Sequence, residues 1–147
     1  MKAIRFTTLA KNIFIGIFAL MMIFSLSSCA TKVKFATSQV VPAARGTVKI
    51  KKDNNKNYAI QVEISNLAEV KRLQPPRNTY IVWLVSDRDE TKNLGEIKSS
   101  TGAFSKHLTA SFKTVTSNKP SKIFITAEDD VTATYPSGQV ILATERF

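Results

Sequence analysis

The chain has 147 residues, 21 of them Lys or Arg against 11 Asp or Glu, for a formal charge of +10. One cysteine leaves no intramolecular disulfide, and one histidine beside it argues against a Cys/His zinc site. The length suits a single domain with one ordinary hydrophobic core.

The first thirty residues have the three parts of a secretory signal. Lys2, Arg5 and Lys11 are basic, Ile13 to Phe24 is uncharged and apolar, and Ser25, Ser27 and Ser28 are small. The apolar run is about a dozen residues, whereas a spanning helix needs about twenty. A cleaved helical signal peptide over 1–28 is therefore expected in preference to an uncleaved anchor. Leu26-Ser27-Ser28-Cys29 resembles the lipobox of bacterial lipoproteins. That resemblance implies cleavage before Cys29, a diacylglycerol on its thiol and an acyl group on its freed amine. Two or three chains hold a protein firmly, each buried CH2 contributing about 0.8 kcal/mol. This covalent lipid is the only non-protein group expected; no cofactor is.

Removing the first 28 residues from 147 leaves 119. Loss of Lys2, Arg5 and Lys11 leaves 18 basic side chains against 11 acidic ones, a charge of +7. That balance is below a dedicated nucleic-acid binder, and export separates the chain from nucleic acid. It does suit a protein held near anionic headgroups. Lipoproteins sent to the cell surface can carry acids just after the lipidated cysteine. Ala30-Thr31-Lys32-Val33-Lys34 has none, so a periplasm-facing location is expected.

Residues 29–44 read as the lipidated cysteine and a tether, and 45–147 as the folded domain. Val48 and Ile50 alternate with Thr47, Lys49 and Lys51. Asp53 to Asn57 is a turn cluster, and Tyr58, Ile60, Val62 and Ile64 alternate with Ala59, Gln61 and Glu63. This predicts a hairpin with one wet and one dry face. Leu67, Val70 and Leu73 lie in an irregular connection before Pro75-Pro76 and are placed to plug one end of the fold. Thr79 to Val85 is apolar on both faces, as in a central strand, with Trp83 expected as a core anchor between two sheets. Leu94 to Ile97, Leu108 to Lys113, Lys122 to Glu128 and Gln139 to Glu145 read as further strands, separated by polar turns. The pattern predicts an all-β fold: a single immunoglobulin-like antiparallel β-sandwich of about seven strands. A small barrel is the alternative.

Within this half, Tyr80-Ile81-Val82-Trp83-Leu84-Val85, Leu94-Gly95, Thr126-Ala127-Glu128, and Pro136-Ser137-Gly138 before Val140-Ile141-Leu142-Ala143 are similar to the extracytoplasmic C-terminal domain of anti-sigma-K factors. The resemblance covers Thr79 to Phe147. It implies a fold and a sensing or partner-binding role, and nothing catalytic. Those factors also carry a cytoplasmic sigma-binding region and a transmembrane helix, for which these residues offer no counterpart.

No catalytic constellation stands out. His107 lies between Lys106 and Leu108 without an evident partner, and no Gly-x-Ser-x-Gly elbow occurs. Asp87, Asp89 and Glu90, and Glu128, Asp129 and Asp130, lack the spacing of a calcium loop and read as solvated turns. The remaining candidate is a basic contact face of Lys49, Lys51, Lys52, Lys56, Lys71, Arg72 and Arg77. Three roles follow in order: a module that docks an envelope protein partner by strand addition; a structural lipoprotein contacting membrane or cell-wall polymer; and, least favoured, a small hydrolase. A long uncovered edge strand would favour the first, and a basic face beside the tether the second.

Overall fold

A computed structural model describes residues 30–101 and 108–147. The segment 1–28 read as a signal peptide, the lipobox-like residues Leu26, Ser27, Ser28 and Cys29, and His107 lie outside them. No helix among the described residues is long and apolar enough to cross a membrane.

The described residues form nine strands: β1 Thr31–Lys34, β2 Arg45–Lys52, β3 Tyr58–Ser65, β4 Thr79–Ser86, β5 Thr91–Ile97, β6 Ser99–Thr101, β7 Leu108–Thr116, β8 Pro120–Glu128 and β9 Gln139–Ala143. They make two antiparallel sheets, β1-β2-β3-β7-β6 and β5-β4-β8-β9. With β2 as the first strand of an immunoglobulin-like sandwich, the orders are A-B-E-D and C′-C-F-G, and β1 adds an outer strand beside A. The count exceeds the seven expected because β1 and β6 are short and carry no strong apolar alternation.

Period-two patterning decides which side chains meet. Val48 and Ile50 of β2, Ile60, Val62 and Ile64 of β3, and Ala110 of β7 point inward from the first sheet. Tyr80, Val82 and Leu84 of β4 and Ile123, Ile125 and Ala127 of β8 meet them from the second. Each fully buried Ile, Leu or Val contributes about 1.5–3 kcal/mol relative to exposure. Leu67 and Leu73 are buried at the end of the sandwich, as their place before the prolines predicts. The Tyr80 hydroxyl donates to the Ala68 carbonyl at 3.0 Å and ties that connection down.

The stretch expected as a tether is folded into the sandwich. Thr31–Lys34 pairs with Ile50–Thr47 along its whole length. The Phe35 N–H donates to the Gly46 carbonyl at 3.1 Å, and the Ala36 N–H to the Ala143 carbonyl at 2.8 Å. The chain therefore passes from the edge of one sheet to the edge of the other, with Phe35, Val41 and Ala44 buried as pegs.

Trp83 corrects a second expectation. It is completely buried, but it projects from β4 away from the inter-sheet core, on the same side as Ile81. Its ring stacks on Phe124 with centroids 6.3 Å apart. The connection between β8 and β9 lies over this outer side. Asn93 donates to the carbonyls of Val131 and Ala133 at 3.1 and 2.8 Å. Glu128 holds the far end of the connection by accepting from Ser137 and Gly138. Gly138 is required there, because a Cβ would stand 1.8 Å from the Ala127 carbonyl oxygen.

Candidate functional site

The outer face of the first sheet is built by strand register. Lys32 of β1 lies opposite Lys49 of β2, Lys49 opposite Gln61 of β3, and Gln61 opposite Lys113 of β7. The next outward row runs Lys34, Thr47, Glu63, Ser111. Toward one end Lys51, Ala59 and Val115 share a row, and toward the other Arg45, Ser65, Thr109 and Ser100 do. This face thus gathers Lys32, Lys34, Arg45, Lys49, Lys51 and Lys113 around one carboxylate, Glu63.

Little of that charge is neutralised. Lys49 Nζ lies 3.6 Å from Glu63, while the Gln61 amide also donates to Glu63 at 2.6 Å. Arg45 is held by the carbonyls of Pro42 and Ala44 at 2.6 and 2.7 Å, which fixes its position but leaves its charge. Two hollows cross the face. One of about 590 Å³ is lined by Lys34, Arg45, Thr47, Glu63, Ser65 and Ser111 among others. The second, of about 410 Å³, is lined by Ala30, Lys49, Lys51, Gln61, Lys113 and Val115 among others. Val115 is 64% exposed, an apolar side chain standing among lysines.

The structure divides the seven basic residues singled out in the sequence into three places. Lys49 and Lys51 are on this face. Lys52 and Lys56 sit at the β2–β3 turn, where Lys52 Nζ lies 5.8 Å from the centre of the Tyr58 ring. Lys71, Arg72 and Arg77 are at the opposite end and are engaged locally. Lys71 donates to Asn78 at 2.6 Å, Arg72 pairs with Glu69 at 3.2 Å, and Arg77 pairs with Asp129. Sequence reasoning did not place Lys32, Lys34, Arg45 or Lys113 on the face. The outward parity of Lys113 in β7 was readable, but its neighbours across the sheet were not.

No family model, no curated protein and no solved structure matches the chain.

The acidic loops have structural partners. Asp87 pairs with Lys119 at 3.8 Å, and Asp89 with Arg146. Asp130 accepts from the Thr132 N–H and hydroxyl, both at 2.8 Å. Among the described residues, no group of three His, Cys, Asp or Glu side chains is placed to hold a metal ion.

Glu128 ends a buried relay. Trp83 Nε1 donates to Thr126 Oγ1 at 2.7 Å, and Thr126 donates to Glu128 Oε1 at 2.6 Å. Burial pushes the Glu128 carboxyl up, but hydrogen bonds from Thr126, Gly138 and Ser137 outweigh it and hold the group below its ordinary value of 4.5. A depressed carboxylate stabilises the fold above its unfolded pKa, and that contribution is lost as pH falls through the folded value. The unfolding free energy is therefore expected to fall as pH drops below 4.5. Glu128→Gln is expected to start lower at neutral pH and to show a shallower acid decline; melting temperature against pH checks both. At the alkaline end, burial pushes Tyr80 up to about 12 from 10.0, so its contribution is lost as pH rises from 10.0 toward that value.

Proposed function

We propose that this chain is a lipid-anchored, periplasm-facing lipoprotein of the bacterial envelope. It works without catalysis, by pressing the basic outer face of β1-β2-β3-β7 against an acidic surface, membrane or cell-wall polymer. The observation that carries the reading is the placement of six cations around one carboxylate on an open sheet face whose first residue, Ala30, is bonded to the lipobox cysteine. This favours the contact role over docking by strand addition. The edge strands offer little free backbone: β1 and β6 have four and three residues. The end of β9 already accepts from Ala36, and β5 is broken by a bulge at Leu94, next to Gly95, whose φ is +134°. The likeness to the anti-sigma-K domain begins at Thr79, whereas most of the basic face precedes it.

The face also carries a stability cost. Lys32 and Lys49 are direct cross-strand partners, and like charges so placed are destabilising. Lys32→Glu is expected to raise the unfolding free energy by about 0.2–1 kcal/mol while weakening contact with acidic surfaces. Urea unfolding read beside binding to anionic vesicles checks the opposed signs.

Photo-crosslinking in native cells tests the proposal, with the probe at Gln61 or Ser111 on the face and at Tyr135 on the other sheet's side as control. Adducts of phospholipid or wall fragments from the face positions only, lost when residues 1–29 are exchanged for a signal peptide cut without a cysteine, are expected. One specific envelope protein in their place would favour the docking role instead.

A further inference from the structure

We infer that the domain lies sheet-down on the leaflet that holds its anchor, with Lys49, Lys51, Lys113 and Val115 seated among anionic phospholipid headgroups. The inference deepens the proposed function and rests on its lipid anchor.

Chain length is the first argument. Ala30 lines the same hollow as Lys49, Lys51, Lys113 and Val115. The next residue, Thr31, is already paired with Ile50, and Phe35 is pegged in the core. Consecutive Cα atoms are about 3.8 Å apart, so a lipidated Cys29 begins its acyl chains one residue from this face. No slack chain exists to let the domain stand away from the bilayer.

Charge is the second argument. Headgroup attraction acts within a Debye length, about 8 Å at physiological salt, and the anchor brings the face inside that range. The third is the mixed chemistry around Val115. It is an exposed apolar side chain flanked by lysines, and long basic side chains can keep their ammonium groups at headgroup level while an apolar neighbour enters deeper. The opposite side, where the β8–β9 connection covers Trp83, is left facing the periplasm.

The test uses the full-length gene product matured in a bacterial host and purified with its lipid. It is placed in vesicles of phosphatidylcholine alone, or of phosphatidylcholine mixed with phosphatidylglycerol. Amine-reactive labelling is then read by mass spectrometry. Lys49, Lys51 and Lys113 are expected to label at least about fivefold more slowly in the anionic vesicles, the factor matching one lysine's share of headgroup attraction. Lys71 and Lys92 should label equally in both, and added salt should abolish the difference. A combined Lys49→Gln, Lys51→Gln, Lys113→Gln variant with unchanged melting should lose protection at Lys32 and Lys34. Equal labelling of the face in both vesicles, on a chain whose mass includes the lipid, overturns the inference and leaves the anchor standing. So does protection that appears only when cell-wall fragments are added. A chain whose mass shows no lipid overturns the anchoring reading and the inference together.

Discussion

Trp83→Ala is expected to lower the unfolding free energy by about 3–5 kcal/mol. Although it projects from the outer side of its sheet, Trp83 has no exposed surface, and its loss removes three supports together. The stack on Phe124 goes. The space beneath the β8–β9 connection becomes a cavity. Thr126 loses the donor that fixes its hydroxyl toward Glu128, loosening the carboxylate that holds Ser137 and Gly138. Urea unfolding should show a lower midpoint with an unchanged slope. Trp83→Phe should retain much of the packing and cost clearly less. A loss below about 1 kcal/mol for the alanine variant would contradict the picture of a connection seated on this ring.

Trp83 also shows where sequence reading stops. Thr79 to Val85 announces a central strand by being apolar on both faces, and it is central, between β5 and β8. That same two-faced pattern hides which parity meets the other sheet. Only the pairing of β4 with its neighbours, and the loop laid over Ile81 and Trp83, decides it. By contrast, β2 and β3 were legible in full. Val48, Ile50, Ile60, Val62 and Ile64 alternate with polar residues and flank the turn cluster at Asp53, whose carboxylate accepts from the N–H groups of Asn55 and Asn57 at 2.8 Å. β1 was not legible, because Thr-Lys-Val-Lys has one apolar residue and gains its order from hydrogen bonds to β2.

The basic face divides in the same way. Lys49 and Lys51 follow from parity along one strand. Lys32 and Lys113 join them through register, a property of three strand pairs that no local pattern encodes. Lys71, Arg72 and Arg77 are neighbours in sequence, yet Glu69, Asn78 and Asp129 engage them at the far end of the domain.

Exchanging residues 1–29 for a signal peptide that is cut without a cysteine is expected to move the protein almost wholly from the membrane to the soluble fraction. Two acyl chains bury many CH2 groups at about 0.8 kcal/mol each, whereas surface lysines supply about 1 kcal/mol apiece and are screened by salt. Wild type should therefore resist a salt wash. The variant should keep only a weak association with anionic membranes, removed by salt and by reversing Lys49 and Lys51. Fractionation before and after the wash separates the two contributions. If the variant stayed in salt-washed membranes, the residues after Cys29 would hold the protein there by themselves and the lipid reading would fail.

The proposed contact role and the sheet-down seating inferred from it both depend on where the exported chain begins and what it carries. The most direct measurement is the intact mass of the native protein extracted from the membrane fraction, with fragmentation of its N-terminal peptide. The expected N-terminal peptide starts at Cys29 and carries diacylglycerol on the thiol and an acyl group on the amine. An N-terminal peptide that begins before Cys29 and carries no lipid would contradict that reading.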